Sequence, residues 1–290
     1  MRDLNILKYV ASTLWALTDD KWAELVPVLM RHARGERLSA EDLQARLGDG
    51  QAGSASSKRG TVAVIPIRGV IAHRMDAMDE SSGGTSVERI GAMLDQVASD
   101  PSIGTVVYDI DSPGGTVPGV QELAAKMFAL RGQKHQIAVS NSLTASAAYW
   151  LASQADEIVS IPSGRVGSIG VFSAHQDLSA ALEKEGIKIT LISAGKFKTE
   201  GNPFEPLSDE ALEIRQAEVD AVYASFVKDV ARGRGVSASE VRNGFGEGRA
   251  LPATDALKAG LIDSIGTMDA ILSKAVGRKV SAGMRAEESE

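Results

Sequence analysis

The sequence predicts an α/β protein built from βαβ units. Three observations carry that prediction. Short apolar runs of strand length recur from Thr61 onward, most are followed by a stretch of helical periodicity, and glycines punctuate the junctions. The 290-residue chain is 43% hydrophobic and 24% charged, ordinary globular composition with ample material for a core. Its 29 glycines set against only 4% aromatics point to tight backbone turns.

The elements follow in order. Residues 1–47 read as helical and amphipathic, with Leu14, Leu17, Leu25, Val28 and Leu29 at helical spacing and Thr18 or Asp19 as a cap. They form a small helical appendage, joined by a flexible Gly/Ser-rich linker over 48–60. The main domain spans 61–276. Its strands are TVAVIPI (61–67), GTVVYDIDSPGG (104–115), QIAVSNS (136–142), DEIVSIP (156–162), VGSIGVFSA (166–174) and IKITLIS (187–193). Helices are expected at 86–100, 117–131, 144–155, 176–185, 208–232, 237–243 and 252–259. Leu212, Val219, Val222, Phe226 and Val230 mark one side of the long helix, and Gly233 and Gly235 end it. The tail 277–290 is charged, poorly apolar and expected to be disordered.

Composition also excludes. With 31 basic against 38 acidic residues the net charge is −7, which argues against nucleic acid as the main partner, since neutralising phosphates needs a basic surface. No cysteine is present, so disulfides, thiolate catalysis and cysteine metal sites are excluded. Four scattered histidines lack zinc-like spacing, and neither a metal nor another cofactor is expected. No run approaches the roughly 18 apolar residues of a spanning helix. The N-terminus also lacks a signal cleavage site, so the expectation is a soluble intracellular protein without a membrane anchor.

Two glycine turns and a serine draw attention. Asp111-Ser112-Pro113-Gly114-Gly115 ends a strand and can expose backbone N–H groups. Ser146, in Thr144-Ala145-Ser146-Ala147-Ala148, opens a helix after a strand, where amides stabilise developing negative charge. The logic is that of a nucleophile elbow without its G-x-S-x-G pattern. A serine nucleophile needs a base. His175 follows an apolar strand, while Lys196 and Lys198 lie in a glycine-bounded loop beyond another. The residues alone reach an α/β enzyme with a Ser/Lys site as one option.

At DSPGG (111–115), TASAAYWLAS (144–153), GRVGSIGV (164–171) and SAGKFKTEGNPF (193–204), the chain resembles the signal peptide peptidase A family of serine peptidases. It is most similar to its bacteriophage branch, the protein C-type head maturation proteases. The resemblance runs from about Thr61 to Ala275 and includes GRALPATDALKAGLIDSIG (248–266). It implies a Clp protease/crotonase-like spiral of βαβ units, with Ser146 as nucleophile, Lys198 rather than Lys196 as general base and Ser168 orienting that lysine. The oxyanion hole falls to Ala147 and to either Gly114 or Gly115. Extended substrate would pair with the strands at Thr116 and Val117 and at Gly167, Ile169, Gly170 and Val171. Where cellular members read S-G-G-Y, this chain has Ala147-Ala148-Tyr149 after the serine, a change that bears on pocket shape more than on catalysis.

What the resemblance implies is a serine endopeptidase that needs no cofactor and gains activity as pH rises and the lysine loses its proton. GNPF (201–204) favours the phage branch, whose substrates would be scaffold, portal or capsid proteins in the host cytoplasm or prohead. Family members form rings or domes, so a homo-oligomer is expected, with helix 208–232 as a contact. In cellular members the serine and lysine come from neighbouring subunits. Three readings compete: a cellular peptidase of the same family, an acyl-CoA enzyme of crotonase type, and a non-catalytic capsid assembly protein on this fold. Retention of both Ser146 and Lys198 speaks against the last.

Overall fold

The computed structural model describes residues 13–33, 57–75 and 84–276. In chain order it begins with β1 (Trp15–Leu17), α1 (Asp19–Ala33), β2 (Ser57–Arg59), β3 (Val62–Arg68), β4 (Ile71–Ala72) and β5 (Thr85–Ser86). Next come α2 (Val87–Ser99), β6 (Thr105–Ser112), β7 (Gly114–Thr116), α3 (Val120–Ala129), β8 (His135–Ala145) and α4 (Ala147–Ala152). The rest are β9 (Glu157–Ser160), β10 (Arg165–Gly167), α5 (Ser179–Lys184), α6 (Asp209–Arg234), α7 (Ala238–Gly244), β11 (Ala250–Pro252), α8 (Ala253–Lys258) and β12 (Ser264–Ile265). Residues 268–276 are helical.

The main sheet has the order β11-β10-β8-β6-β3-β2, with β3, β6, β8 and β10 parallel and β2 and β11 antiparallel at its ends. This is the mixed α/β architecture that the alternating pattern predicts, and it is consistent with the Clp/crotonase-like fold that the resemblance implies. The eleven residues of β8 pair on one side with β6; on the other they pair first with β9 (Ile137–Ser140), then with β10 (Leu143–Ala145). Apolar residues fill both faces, as a covered parallel sheet requires. Val106, Tyr108 and Ile110 enter the core beneath α2, α3, α4 and α6, while Val107 packs with Val62, Val139, Val159, Ile271 and Leu272 on the opposite face. At Pro113 the chain leaves this sheet for a smaller one, ordered β1-β7-β4-β5.

Helix ends obey local chemistry. The Ser86 hydroxyl caps α2 by accepting from the Arg89 amide, and the helix buries Val87, Ile90, Met93, Leu94 and Val97 along one stripe. Ser208 caps α6, Asp209 and Glu210 occupy its first turn, and Gly235 closes it in the left-handed conformation.

Four expectations need correction. Leu14 and Leu17 do not lie on a helix: β1 is extended and buried, because tertiary pairing overrides helical spacing in so short a stretch, and the helix starts only at Asp19. Ser57–Arg59, the end of the presumed linker, pairs antiparallel with β3; residues 48–56 lie outside the described residues. IKITLIS (187–193) is no strand: among the described residues no strand pairs with it to complete a ladder. Instead Ile187, Ile189, Leu191 and Ile192 face solvent, Ile192 at 95% exposure. In α6 the large apolar side chains are buried only in its second half, at Phe226, Val227 and Val230, whereas in the first half Ala211 is buried but Leu212 and Ile214 are exposed. The expected disordered tail 277–290 and most of the helical appendage beyond α1 lie outside the described residues.

Candidate active site

Ser146 stands at the joint between β8 and α4, with φ 56° and ψ −118°. A non-glycine residue held there stores strain of about 1–3 kcal/mol, tolerated only where neighbours over-determine it. They do so here. The Ser146 amide donates to the Gly167 carbonyl at 2.8 Å, and Thr144 and Ala145 are in register with Val166 and Gly167 of β10. Behind the joint, α4 is wholly buried. The Trp150 ring stacks on Phe226 at 4.4 Å, its indole N–H donates to Asp229 Oδ2 at 2.9 Å, and the Tyr149 hydroxyl donates to the Leu261 carbonyl at 2.9 Å. Burial pushes the Tyr149 phenol above its ordinary pKa, so it stays a neutral donor.

The first glycine turn closes against this joint. Ser112 Oγ donates to the Gly69 carbonyl at 2.6 Å and accepts the Gly114 amide at 3.2 Å. Gly114 has φ 96°; a Cβ there would overlap the Ala16 carbonyl oxygen and lie 3.0 Å from both the Ala145 carbonyl oxygen and the Ala147 amide nitrogen. A Cβ on Gly115 would run into the backbone of Ile71. Close approach of three backbones therefore requires both glycines.

The second turn flanks the other side. Gly167 has φ 126° and Ser168 φ 54°, and the Ser168 amide donates to the Arg249 carbonyl at 2.9 Å. Ser168 borders a cavity of about 610 Å³ that is also lined by Pro113, Ser142, Leu143, Arg165 and Arg249. Beyond the turn, the Ser146 hydroxyl donates to the Gly170 carbonyl at 3.4 Å, a long bond that leaves it free to reorient.

The expected residues Gly114, Gly115, Ala147, Ser146, Gly167, Ser168 and Gly170 thus come together, with Ile169 buried beside them. Thr116 is buried, and the Val117 amide donates to the Leu14 carbonyl at 3.1 Å; Val171 packs against the core. Lys198 is not joined to them. It lies in an exposed turn, its amide donating to the Gly195 carbonyl at 3.2 Å, and its ammonium makes no hydrogen bond or ion pair among the described residues. Neighbouring Lys196 pairs with Glu210 at 3.0 Å and lies over the Phe197 ring. His175 makes no hydrogen bond to Ser146; both of its ring nitrogens are buried with no hydrogen-bond partner among the described residues. Two participants escaped the sequence reading. Ser112 was detectable from its place just before Pro-Gly-Gly, whereas β1 is too short for any periodicity to show.

Among the described residues no helix is long and apolar enough to cross a membrane. The pattern that defines peptidase family S49 matches residues 129–280, just over half of the chain. The chain is 36% identical over 245 residues to the capsid assembly protease C of Escherichia phage lambda, covering 82% of this chain and 55% of that protein. It is 35% identical over 225 residues to the head-tail preconnector protein GP5 of Enterobacteria phage P21, covering 77% and 44%. With Protease 4 of Haemophilus influenzae it shares 27% identity over 215 residues, covering 74% of this chain and 34% of that protein. It therefore spans about half the length of the phage relatives it matches. From the match across β8 to β12, which contains the strained serine and its bracing elements, the chain belongs to peptidase family S49, the peptidases its motifs resemble.

Proposed function

We propose that the chain is a serine endopeptidase with a Ser146/Lys198 dyad, acting on scaffold, portal or capsid proteins during phage head assembly in the host cytoplasm or prohead. The observation that carries this reading is the strained backbone of Ser146, set between two glycine turns with the Ala147 amide beside them. In the reaction, neutral Lys198 takes the Ser146 proton as Oγ bonds to the scissile carbonyl carbon. The carbonyl oxygen gains charge against the Ala147 amide and an amide of the glycine turn, a contribution of about 3–4 kcal/mol per donor. Collapse of the tetrahedral species breaks the C–N bond, and the lysine returns its proton to the leaving amine. Water then attacks the acyl-enzyme by the same route.

The lysine reaches the serine, in this reading, from a second copy of the chain. Support comes from the exposed turn of Lys198 and from the exposed apolar residues near it in sequence, Ile187, Ile189, Leu191, Ile192 and Phe197, with Leu212 and Ile214 exposed on α6, whose Glu210 pairs with Lys196 of that turn. A concentration of exposed large apolar residues of this kind marks an interaction face. The larger share of this chain matched by the two phage proteins, 82% and 77% against 74% for Protease 4, favours capsid assembly over the role of a cellular peptidase.

The test is cleavage of a denatured protein substrate by wild type, Ser146→Ala and Lys198→Ala at matched oligomeric state. Both variants should lose activity. Persistent cleavage by Ser146→Ala would remove the proposed nucleophile.

A further inference from the structure

We propose that residues 13–18 fill the peptide-binding cleft of this site as a built-in strand, so that the chain keeps its own cleft closed until that strand is displaced. The proposal rests on the preceding reading for the identity of the cleft.

β1 is inserted between two segments, β7 on one side and residues 170–172 on the other. These are the segments expected to pair with an extended substrate. On the second side, Trp15 and Phe172 exchange both backbone hydrogen bonds, each at 2.9 Å. On the first side, the Val117 amide donates to the Leu14 carbonyl and the Thr18 amide to the Pro113 carbonyl, each at 3.1 Å. Trp15, Ala16 and Leu17 lie opposite Thr116, Gly115 and Gly114. Hydrogen-bonded pairs alternate along an antiparallel ladder. With 14/117 and 18/113 bonded, the bonded pair between them is Ala16 with Gly115, and the Gly115 N–H faces the Ala16 carbonyl.

That carbonyl lies where a reacting one is required. The Ala16 oxygen occupies the space above Gly114 that a Cβ would need, beside the Ala147 amide. The glycine turn thus holds that carbonyl, with the amide following the nucleophile on another side of Gly114, and on this register the Ala16–Leu17 bond is set against Ser146 in the proposed arrangement. The Trp15–Phe172 register, continued by two residues, sets Leu17 opposite Gly170, whose carbonyl accepts the Ser146 hydroxyl. The nucleophile therefore rests against one wall of the slot that β1 fills.

The side chains explain why the strand stays. Trp15, Ala16 and Leu17 are all buried. The Trp15 ring packs at 5.2 Å against Trp22 of α1, which meets Phe172 edge-on at 5.3 Å. A tethered strand competes at an effective concentration on the order of millimolar, so a free peptide must match that to enter. The occupant also shows what the cleft accepts: an extended segment with a small residue before the bond and large apolar residues on either side of it.

Binding of a fluorescein-labelled hexapeptide, Thr-Leu-Trp-Ala-Leu-Thr, tests this without turnover in the full-length Ser146→Ala chain. We compare β1 intact with β1 loosened by Trp15→Ala or by Ala16→Pro, which removes a ladder donor. The loosened chains should bind at least tenfold more tightly. Equal binding to intact and loosened chains, or binding to neither, overturns the proposal. Should a loosened chain fail to fold, hydrogen exchange on the intact Ser146→Ala chain decides. Saturating peptide should lift protection of the Trp15 and Thr18 amides, and unchanged protection overturns the proposal. A wild type that cleaves nothing would sink the peptidase reading while leaving each of these binding outcomes readable.

Discussion

The Ser146 amide is bonded to the carbonyl of Gly167 at 2.8 Å, so the strained serine and the residue preceding Ser168 are locked to each other. Both serines hold positive φ, 56° and 54°, and neither can relax without moving the other.

That coupling separates two roles for Ser168. If its hydroxyl orients the base, Ser168→Ala and Ser168→Gly should each lower kcat by about 100-fold, the lower part of what proton transfer contributes, and should alter the pH–rate profile. If only the turn matters, Ser168→Gly, which adopts φ 54° without strain, keeps wild-type kcat and profile. Steady-state kinetics across pH distinguish the two.

Gly115→Ala places a methyl against the Ile71 backbone and pushes β7 away from β4. Under the proposed mechanism the oxyanion donor of this turn then moves from its place, which should cost about 100-fold in kcat. The urea midpoint should fall as well, because the obstruction is backbone and cannot swing aside.

Ile192→Asp sets a charge into the exposed apolar face beside the Lys198 turn. Sedimentation velocity should show a smaller species with unchanged circular dichroism, and activity should fall with it. Wild-type assembly in this variant would count against that face as the contact between copies.

Asp263 ties the end of the fold to α6. Its carboxylate accepts from Arg234 at 2.7 and 2.9 Å and from the Ile158 amide at 2.7 Å. Burial pushes its pKa upward, but the Arg234 and Ile158 bonds outweigh that and hold it below the ordinary carboxylate range. A depressed pKa stabilises the fold above the unfolded value of about 3.9 and ceases to do so as pH falls through the folded value. Asp263→Asn should therefore cost about 1–2 kcal/mol at pH 7, discounted for the partial exposure of the carboxylate, and little at strongly acid pH. Urea unfolding at the two pH values measures the difference.

Trp150→Phe keeps the stack on Phe226 but removes the donor to the buried Asp229 carboxylate, leaving it with Arg232 at 3.3 Å. The cost should be about 2 kcal/mol in urea unfolding.

Much of the site was legible because its signals are local. A serine among alanines after an apolar strand, and Pro-Gly-Gly at the end of another, each announce a sharp turn within a few residues, and those turns meet in space. The α/β pattern was legible for the same reason, since strand and helix periods repeat over lengths that show them. What could not be read has long-range causes. Trp15–Leu17 is a strand only because β7 and Phe172 lie on either side of it, and three residues carry no period. IKITLIS has the composition of a strand yet finds no ladder among the described residues, and Lys198 lies in the same loop.

The pairing of β1 also sets an order of events during synthesis. Its partners Thr116 and Phe172 emerge from the ribosome long after Trp15 does, and contacts so distant in sequence form late. Each newly made chain therefore passes through an interval in which β6, β7 and β8 can already be assembled while the N-terminal strand is still undocked. If β1 fills the peptide cleft as proposed, a peptide at hand in that interval meets an open slot, and the speed of β1 docking sets how long it stays open.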